Sequence, residues 1–460
     1  MGSMKTGVPD QETGASRRFG PGGEVAAEAS AGNSARSGLR ALRNREFALF
    51  WSGQAISQTG TWMQQFAQGW VVTTLATSAF VLASVNFMAA IPTLMLMPFG
   101  GVAADRLERR RILLVTQWVM AVLAVLMGVL IQTGGLRLWH VWLIALLFGL
   151  ATAYDLPAYQ SFYPQLVERE DLQQAIALNQ AAFHGSRIIG PAVASWFVTW
   201  WGMAAAFFAN GASFLAVIGS LLMIRPKTPT IGGGPVNTRR FMAEGVRYVR
   251  ERPRMMALLG ITAISTAFVF PNVAVLMPFY AKHVLHAGPG GLGAIMAVSG
   301  AGAFLGATAL FALPGRARIA WIMTAVAVIT LMLSVLAWSR SLALSVVTVA
   351  ILSFGISSSL GLASVMVQES VSDVLRGRVM SLYSLAFTGV MPFAALAVGW
   401  LSDVAGMRRE LQLAAGLYGM CGVLLTAMLR RTTRMTHFDV EEPLAERGST
   451  PPVIAAPLNR

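Results

Sequence analysis

Long apolar segments, repeated a dozen times, constrain this chain more than any other feature. They fall at roughly 47–75, 80–104, 112–133, 138–160, 173–200 and 204–224, then at roughly 255–281, 291–313, 319–338, 342–366, 378–403 and 409–429. Each reaches the length of about 20 residues that a helix needs to cross the hydrocarbon core. In lipid only helices and closed barrels satisfy every backbone polar group, and runs this long and continuous read as helices. The predicted fold is therefore an all-α membrane protein, with twelve transmembrane helices in two six-helix bundles. Composition agrees: 55% of residues are hydrophobic and only 12% are charged, about half the charged share of a soluble domain.

The formal net charge of +14 raises the question of nucleic acid, and the placement of the charge answers it. With both ends on the cytoplasmic side, only Arg137, Lys282, Arg340, Arg408 and Arg409 lie outside, and Arg187 lies within a span. The remaining basic residues gather on the inner side. That split is the positive-inside bias, so the charge orients the chain in the bilayer, and no nucleic-acid partner is expected. The single cysteine, Cys421, lies in an apolar run and excludes an internal disulfide. Residues 1–40 are rich in Gly, Ala, Ser and Glu and read as a disordered cytoplasmic tail. No cleavable leader is expected, because the first apolar segment is far too long for one.

Between the two sets of spans lies a polar stretch, 225–254, with Phe241, Val246 and Val249 able to share one face while Arg239, Arg240, Arg247 and Arg250 stay wet. It reads as an amphipathic linker on the cytoplasmic surface. The expected organisation is a tail at 1–40, a bundle at 41–224, this linker, a second bundle at 255–430 and a cytoplasmic tail at 431–460. An offset of about 205 residues aligns Gly101 with Gly306 and Ala181-Ala-Phe183 with Leu385-Ala-Phe387. Parallel six-span repeats with a midplane site between them are a transporter plan.

Several spans carry polar faces. In the first, Gln54, Gln58, Thr61, Gln65 and Gln68 recur at spacings of 4, 3, 4 and 3, which places all five on one helix face. An unpartnered amide facing lipid costs a few kcal/mol, so this stripe faces protein or a water-filled cavity. Glutamines are bulky for a tight helix interface, where small residues dominate, and that favours the cavity. The tenth span has Ser353, Ser357, Gly361, Ser364 and Gln368, the fourth Thr152, Asp155 and Tyr159, and the seventh Ser265 and Asn272 beside Pro271. Trp62, Phe66, Phe268 and Phe270 are candidate aromatic walls.

Arg187 falls near the middle of the fifth span, the costliest depth for a charge, and is a functional-site candidate for that reason. A purely structural ion pair with Asp155 is the competing reading. His184 shares its face, as a packed ring or as a proton group. Gly190-Pro191 follows, where proline removes a backbone hydrogen bond and bends the helix.

The loop Gly101-Val-Ala-Ala-Asp105-Arg106-Leu-Glu108-Arg109-Arg110-Arg111 resembles the signature loop between helices 2 and 3 of the major facilitator superfamily, with Glu108 where that family has glycine. The resemblance implies that Gly101 permits close helix packing. It also implies that Asp105, Arg106, Arg109 and Arg110 form a cytoplasmic gate. A positive helix end places Asp105 near Gly377–Val379, and loop proximity offers Glu369 or Asp373 as partners for Arg106 or Arg109. The resemblance assigns helices 1, 4, 7 and 10 to a central cavity. Gly190-Pro191 resembles the helix-5 motif of the family's antiporters, with Ala194 and Ser195 in place of its glycines. Leu42-Arg-Asn-Arg-Glu-Phe47, Gly60-Thr61-Trp62-Met63-Gln64, Asp155-Leu-Pro157 and Arg187-Ile-Ile-Gly190-Pro191 are similar to the bacterial exporter branch that includes the enterobactin exporter and macrolide efflux proteins.

What this implies is a monomeric exporter in the bacterial cytoplasmic (inner) membrane. It would move a small amphiphilic molecule outward by alternating access in exchange for protons, with Asp155, His184 and Arg187 as coupling candidates. No nucleotide-binding loop, metal-ligand set or nucleophile–base set appears, so no cofactor and no enzymatic activity are expected. A lipid transporter of the same fold and a non-transporting membrane scaffold are the rival readings.

Overall fold

The structure is a computed structural model that describes residues 40–225 and 245–438, so the expected tails and most of the expected linker lie outside the described residues. The long helices are α1 (Arg45–Leu75), α2 (Ala79–Arg106), α3 (Arg109–Gln132), α4 (Leu138–Phe162), α5 (Leu172–Trp201) and α6 (Met203–Met223). After the gap, α7 runs in pieces from Pro253 to Val284, followed by α8 (Pro289–Thr308), α9 (Arg318–Trp338) and α10 (Leu342–Glu369). Next comes α11, in three pieces from Asp373 to Ala405, and then α12 (Met407–Phe438). Among the described residues, ten helices are long and apolar enough to cross a membrane. The two long helices outside that set are α1 and α5, with 31 and 30 residues. At about 1.5 Å per residue both exceed the bilayer core; what lowers their hydropathy is the glutamine stripe in α1 and Gln173, Asn179, His184 and Arg187 in α5.

Local chemistry sets the boundaries. The side chain of Asn44 accepts from the N–H groups of Glu46 and Phe47 and so caps α1. Single glycines join α5 to α6 and α11 to α12: Gly202 has φ 82° and Gly406 φ 88°, a region that side-chain-bearing residues rarely adopt.

Helices of the first half pack chiefly on one another, α2 on α4, α1 on α5 and α6, and α3 on α6; in the second half α8 packs on α10, and α9 on α10 and α12. The halves meet along α5 against α8 and along α2 against α11. Backbone approaches at glycine make this density possible. A Cβ at Gly100 or Gly149 would collide with backbone of α4 or α2, and one at Gly302 or Gly306 with backbone of α10. Gly101, expected to be the close-packing position, has nothing within 4 Å of such a Cβ. The equivalent of Gly306 is therefore Gly100, one residue from the alignment expected, and the close approach belongs to Gly100.

Two helices depart from regular winding. Within α7 a π-turn at Ser265–Val269 precedes Pro271 and a second π-turn covers Tyr280–Val284; α11 carries one at Leu385–Gly389. Such insertions shift the face presented by everything beyond them.

Candidate functional site

Two neighbouring hollows share three lining residues: the first lies among helices of the first half, and the second lies between the halves. One, of about 530 Å³, is lined by Gln54, Gln58, Thr61 and Gln65 of α1, by Thr152, Asp155 and Tyr159 of α4, and by Asn179 and Phe183 of α5. The second, of about 550 Å³, is lined by Asn86, Arg187, Phe270, Ser353, Ser357, Gly361 and Ser364, with Trp62, Gln65 and Phe183 common to both. Its walls are mixed aromatic and polar, as in sites that accept bulky amphiphilic ligands. Within α1 the glutamine that bridges to another helix is a different one, buried Gln64, whose Oε1 accepts from Asn210 Nδ2 of α6 at 2.7 Å.

Other sequence-derived cavity residues lie elsewhere. Gln68 lines neither hollow; the neighbouring Gly69 packs against Pro278 of α7, which closes the space at that level. Ser265 is fully buried and donates to the Ile261 carbonyl at 2.8 Å, with Tyr418 Oη 3.4 Å away. Asn272 is fully buried and donates to the Phe268 carbonyl and to Glu410 Oε1, each at 3.1 Å. Both residues meet α12, so they share a face as their spacing implies, but that face packs on Tyr418 and Glu410 instead of lining the hollows.

The charged groups separate. Asp155 Oδ1 accepts from Thr116 Oγ1 at 2.6 Å and Gln117 Nε2 at 3.0 Å, both on α3. Arg187 lies in the other hollow with its guanidinium 5.7 Å from the centre of the Trp62 ring. The Asp155–Arg187 pair, the competing reading of Arg187, does not form. His184 lines neither hollow and packs its ring against Phe183 and Phe304, with centroids 5.5 and 6.0 Å apart. Gly190 meets Trp62 and the Thr59 carbonyl, and α5 runs through Gly190-Pro191 as one helix.

The two ends of the cavity differ. On the face carrying the basic loops, Asp105 is exposed and its ion pair is with Arg109 of its own loop at 3.9 Å. Arg106 is exposed too. Arg109 donates to the carbonyls of Ala104 and Ser161, and Arg110 to those of Leu221 and Leu222, tying the loop to the ends of α4 and α6. Glu108, the departure from the family pattern, sits 2.7 Å from Arg111. Glu369 pairs with Arg318 of the second half, while the Asp373 side chain lies outside the described residues. The expected contact of Asp105 with Gly377–Val379 is absent among the recorded hydrogen bonds and ion pairs.

At the far face the halves are clasped, by residues that the sequence did not single out. Asp403, near the end of α11, accepts from Ser78 Oγ at 2.5 Å, from the N–H of Ala79 at 2.7 Å and from that of Phe80 at 3.1 Å. A carboxylate thus seats on the N-terminus of α2, where the helix dipole favours an anion. Beside it Lys282 Nζ donates to the Thr73 carbonyl at the end of α1, at 2.8 Å. At the opposite face Asp105 makes no such contact with the second half, and its ion pair is local.

The profile of the transmembrane secretion effector family, a major facilitator group, matches residues 36–460. The chain belongs to that family. It is 24% identical over 398 residues to macrolide efflux protein A of Streptococcus pyogenes, with 85% of this chain and 97% of that protein covered. It is 25% identical to the multidrug efflux pump Tap of Mycolicibacterium fortuitum, covering 77% and 90%. Among solved structures it superposes on the nucleoside transporter NupG with a TM-score of 0.64 at 15% identity, covering 83% of this chain and 98% of that one. A bacterial homologue of the iron transporter ferroportin, in its inward-facing state, gives 0.63 at 15%, with the same shares covered. The chain is a multi-pass membrane transporter of the major facilitator type and not an enzyme.

Proposed function

We propose that this transporter exports a small amphiphilic molecule, siderophore-, macrolide- or drug-like, by alternating access in exchange for protons. On this reading α1 and α5 complete twelve spans in two six-helix bundles. The basic face is cytoplasmic, the membrane is the bacterial cytoplasmic membrane, and the structure is the inward-facing state of a monomer. The observation that carries the reading is the pair of neighbouring hollows, which reach the basic ends of α1, α4 and α5 at Gln54, Tyr163 and Asn179 while Asp403 and Lys282 close the opposite end.

Asp155 is the proton group in this mechanism. It is the carboxylate of the first hollow, held by two neutral donors and free of a cationic partner among the described residues. A carboxyl group so placed can be neutral with a proton and charged without it, as exchange requires. Arg187 and the glutamine amides donate to the substrate, which favours neutral or anionic compounds.

A lipid substrate is the second reading, favoured by an apolar groove of about 690 Å³ on α3 and α4, lined by Val115, Val119, Leu147 and Leu150, with Arg111 among its residues.

The test is proton movement driven by candidate amphiphiles in vesicles of reconstituted protein, with and without Asp155→Asn. Loss of proton movement in the variant supports the assignment. Unchanged coupling removes Asp155 from it, and lysophospholipid movement without drug movement favours the second reading.

A further inference from the structure

A second buried carboxyl group lies outside the cavity. Glu410, in the first turn of α12, is 1% exposed. Its Oε1 accepts from Asn272 Nδ2 at 3.1 Å, whereas its Oε2 and the Oδ1 of Asn272 are buried with no hydrogen-bond partner. Both orphans are oxygens. A charged carboxylate would leave two buried acceptors without a donor; a carboxylic acid brings a donor to the contact. Asn272 lies between the two π-turns of α7 and follows Pro271, so the contact sits on the irregular part of a helix whose far end clasps α1 through Lys282. Irregular turns of this kind mark sites of conformational change.

The surrounding charges are few. On α7 the ionisable groups beyond Asn272 are Tyr280, Lys282 and His283; α9 has none beyond Arg318 at its opposite end; α11 brings Asp403; and α12 itself has Arg408, Arg409 and Tyr418. None of these makes a recorded hydrogen bond or ion pair with Glu410. The N-terminus of α12 favours a negative charge only modestly. Burying an ion without a counter-charge costs several kcal/mol. Proton uptake wins.

We propose that Glu410 is a proton-binding site that closes the far side of the transporter: it takes up a proton when α7 packs against α12, and its ionisation releases that packing. The proposal is independent of whether Asp155 carries the transported proton. It also predicts a sign that the neighbouring groups oppose. Burial pushes Lys282 and His283 down from their ordinary values in the closed form, with Lys282 further lowering His283, so acid would open the Lys282–Thr73 contact. The Tyr280 phenol, donating to the Leu336 carbonyl at 2.8 Å, stays protonated below about pH 9. Closure on acidification therefore isolates Glu410.

Spin labels at Gln132 and Arg340, exposed far-face positions in opposite halves, placed in a Cys421→Ala background, report the distance between the halves. In detergent between about pH 9 and about pH 6, the closed-to-open ratio should rise by at least about tenfold, the change produced by one unit of difference in proton affinity. Glu410→Gln should stay closed at every pH, and Glu410→Asp should keep a pH response. Opening on acidification, no pH response in the unsubstituted protein, or a full response in Glu410→Gln would each overturn the proposal. The labelled protein with Glu410 intact tests the sign even if Glu410→Gln does not fold.

Discussion

Asp403→Ala should move the resting protein toward the form that is open at the far face. The substitution removes three acceptor contacts, to Ser78 Oγ and to the N–H groups of Ala79 and Phe80. Hydrogen bonds to a charged group contribute about 1.5–3 kcal/mol each where they are buried. This clasp is at an exposed rim, and water replaces much of what is lost. An anion on an exposed helix N-terminus contributes about 0.3–1 kcal/mol, and with the remaining direct contacts the clasp as a whole amounts to about 1–2 kcal/mol. That corresponds to a shift of roughly 5–30-fold in the closed-to-open ratio. Asp403→Asn should give a smaller shift, because a neutral amide oxygen still accepts from one N–H. Double electron–electron resonance between labels at Gln132 and Arg340 measures the ratio. Equal distance distributions for Asp403→Ala and the unsubstituted protein would refute the clasp, and with it the assignment of this structure to a state held closed at the far face.

Gly100→Ala should cost about 1–3 kcal/mol through overpacking against the Ala153 carbonyl, read as a lowered unfolding temperature. Gly101→Ala should leave that temperature unchanged, since nothing lies within 4 Å of the added methyl. Asp105→Asn should leave the protein folded and slow transport, because its carboxylate acts when the basic face closes; full transport by the stable variant would remove the latch role. Arg187→Gln should weaken binding of an anionic amphiphile by about tenfold, as expected for losing a charged donor of about 1.5 kcal/mol. Cationic and neutral analogues should change less, and titration of a matched series checks this.

The legible part of this protein was what regular helix periodicity carries. Gln54, Gln58, Thr61 and Gln65 share a face of α1 because that helix is regular over its whole length, and all four line the first hollow. Ser265 and Asn272 share a face of α7 as well, but that face packs on Tyr418 and Glu410 of α12, and spacing alone does not say whether a polar face meets a cavity or a neighbouring helix. Glu410 escaped attention because Arg408 and Arg409 stand beside it at the start of a span, the usual composition of a wet helix end. Asp403 escaped for the same reason, and its meaning depends on α2, 324 positions away. The Asp105 loop could be found from its residues, but whether it is engaged depends on which face of the molecule is closed. A sequence that must serve both states does not encode one of them.

Uptake into vesicles reconstituted with this protein, driven only by an acid interior, tests the central claim most directly. Molecules inserted with the basic face outward should accumulate a macrolide- or siderophore-like amphiphile above its external concentration. Collapsing the pH difference with a protonophore should abolish accumulation, and so should Asp155→Asn. Accumulation that persists after the pH difference is collapsed, or that never occurs for any member of a neutral, anionic and cationic amphiphile series, would contradict proton-coupled export.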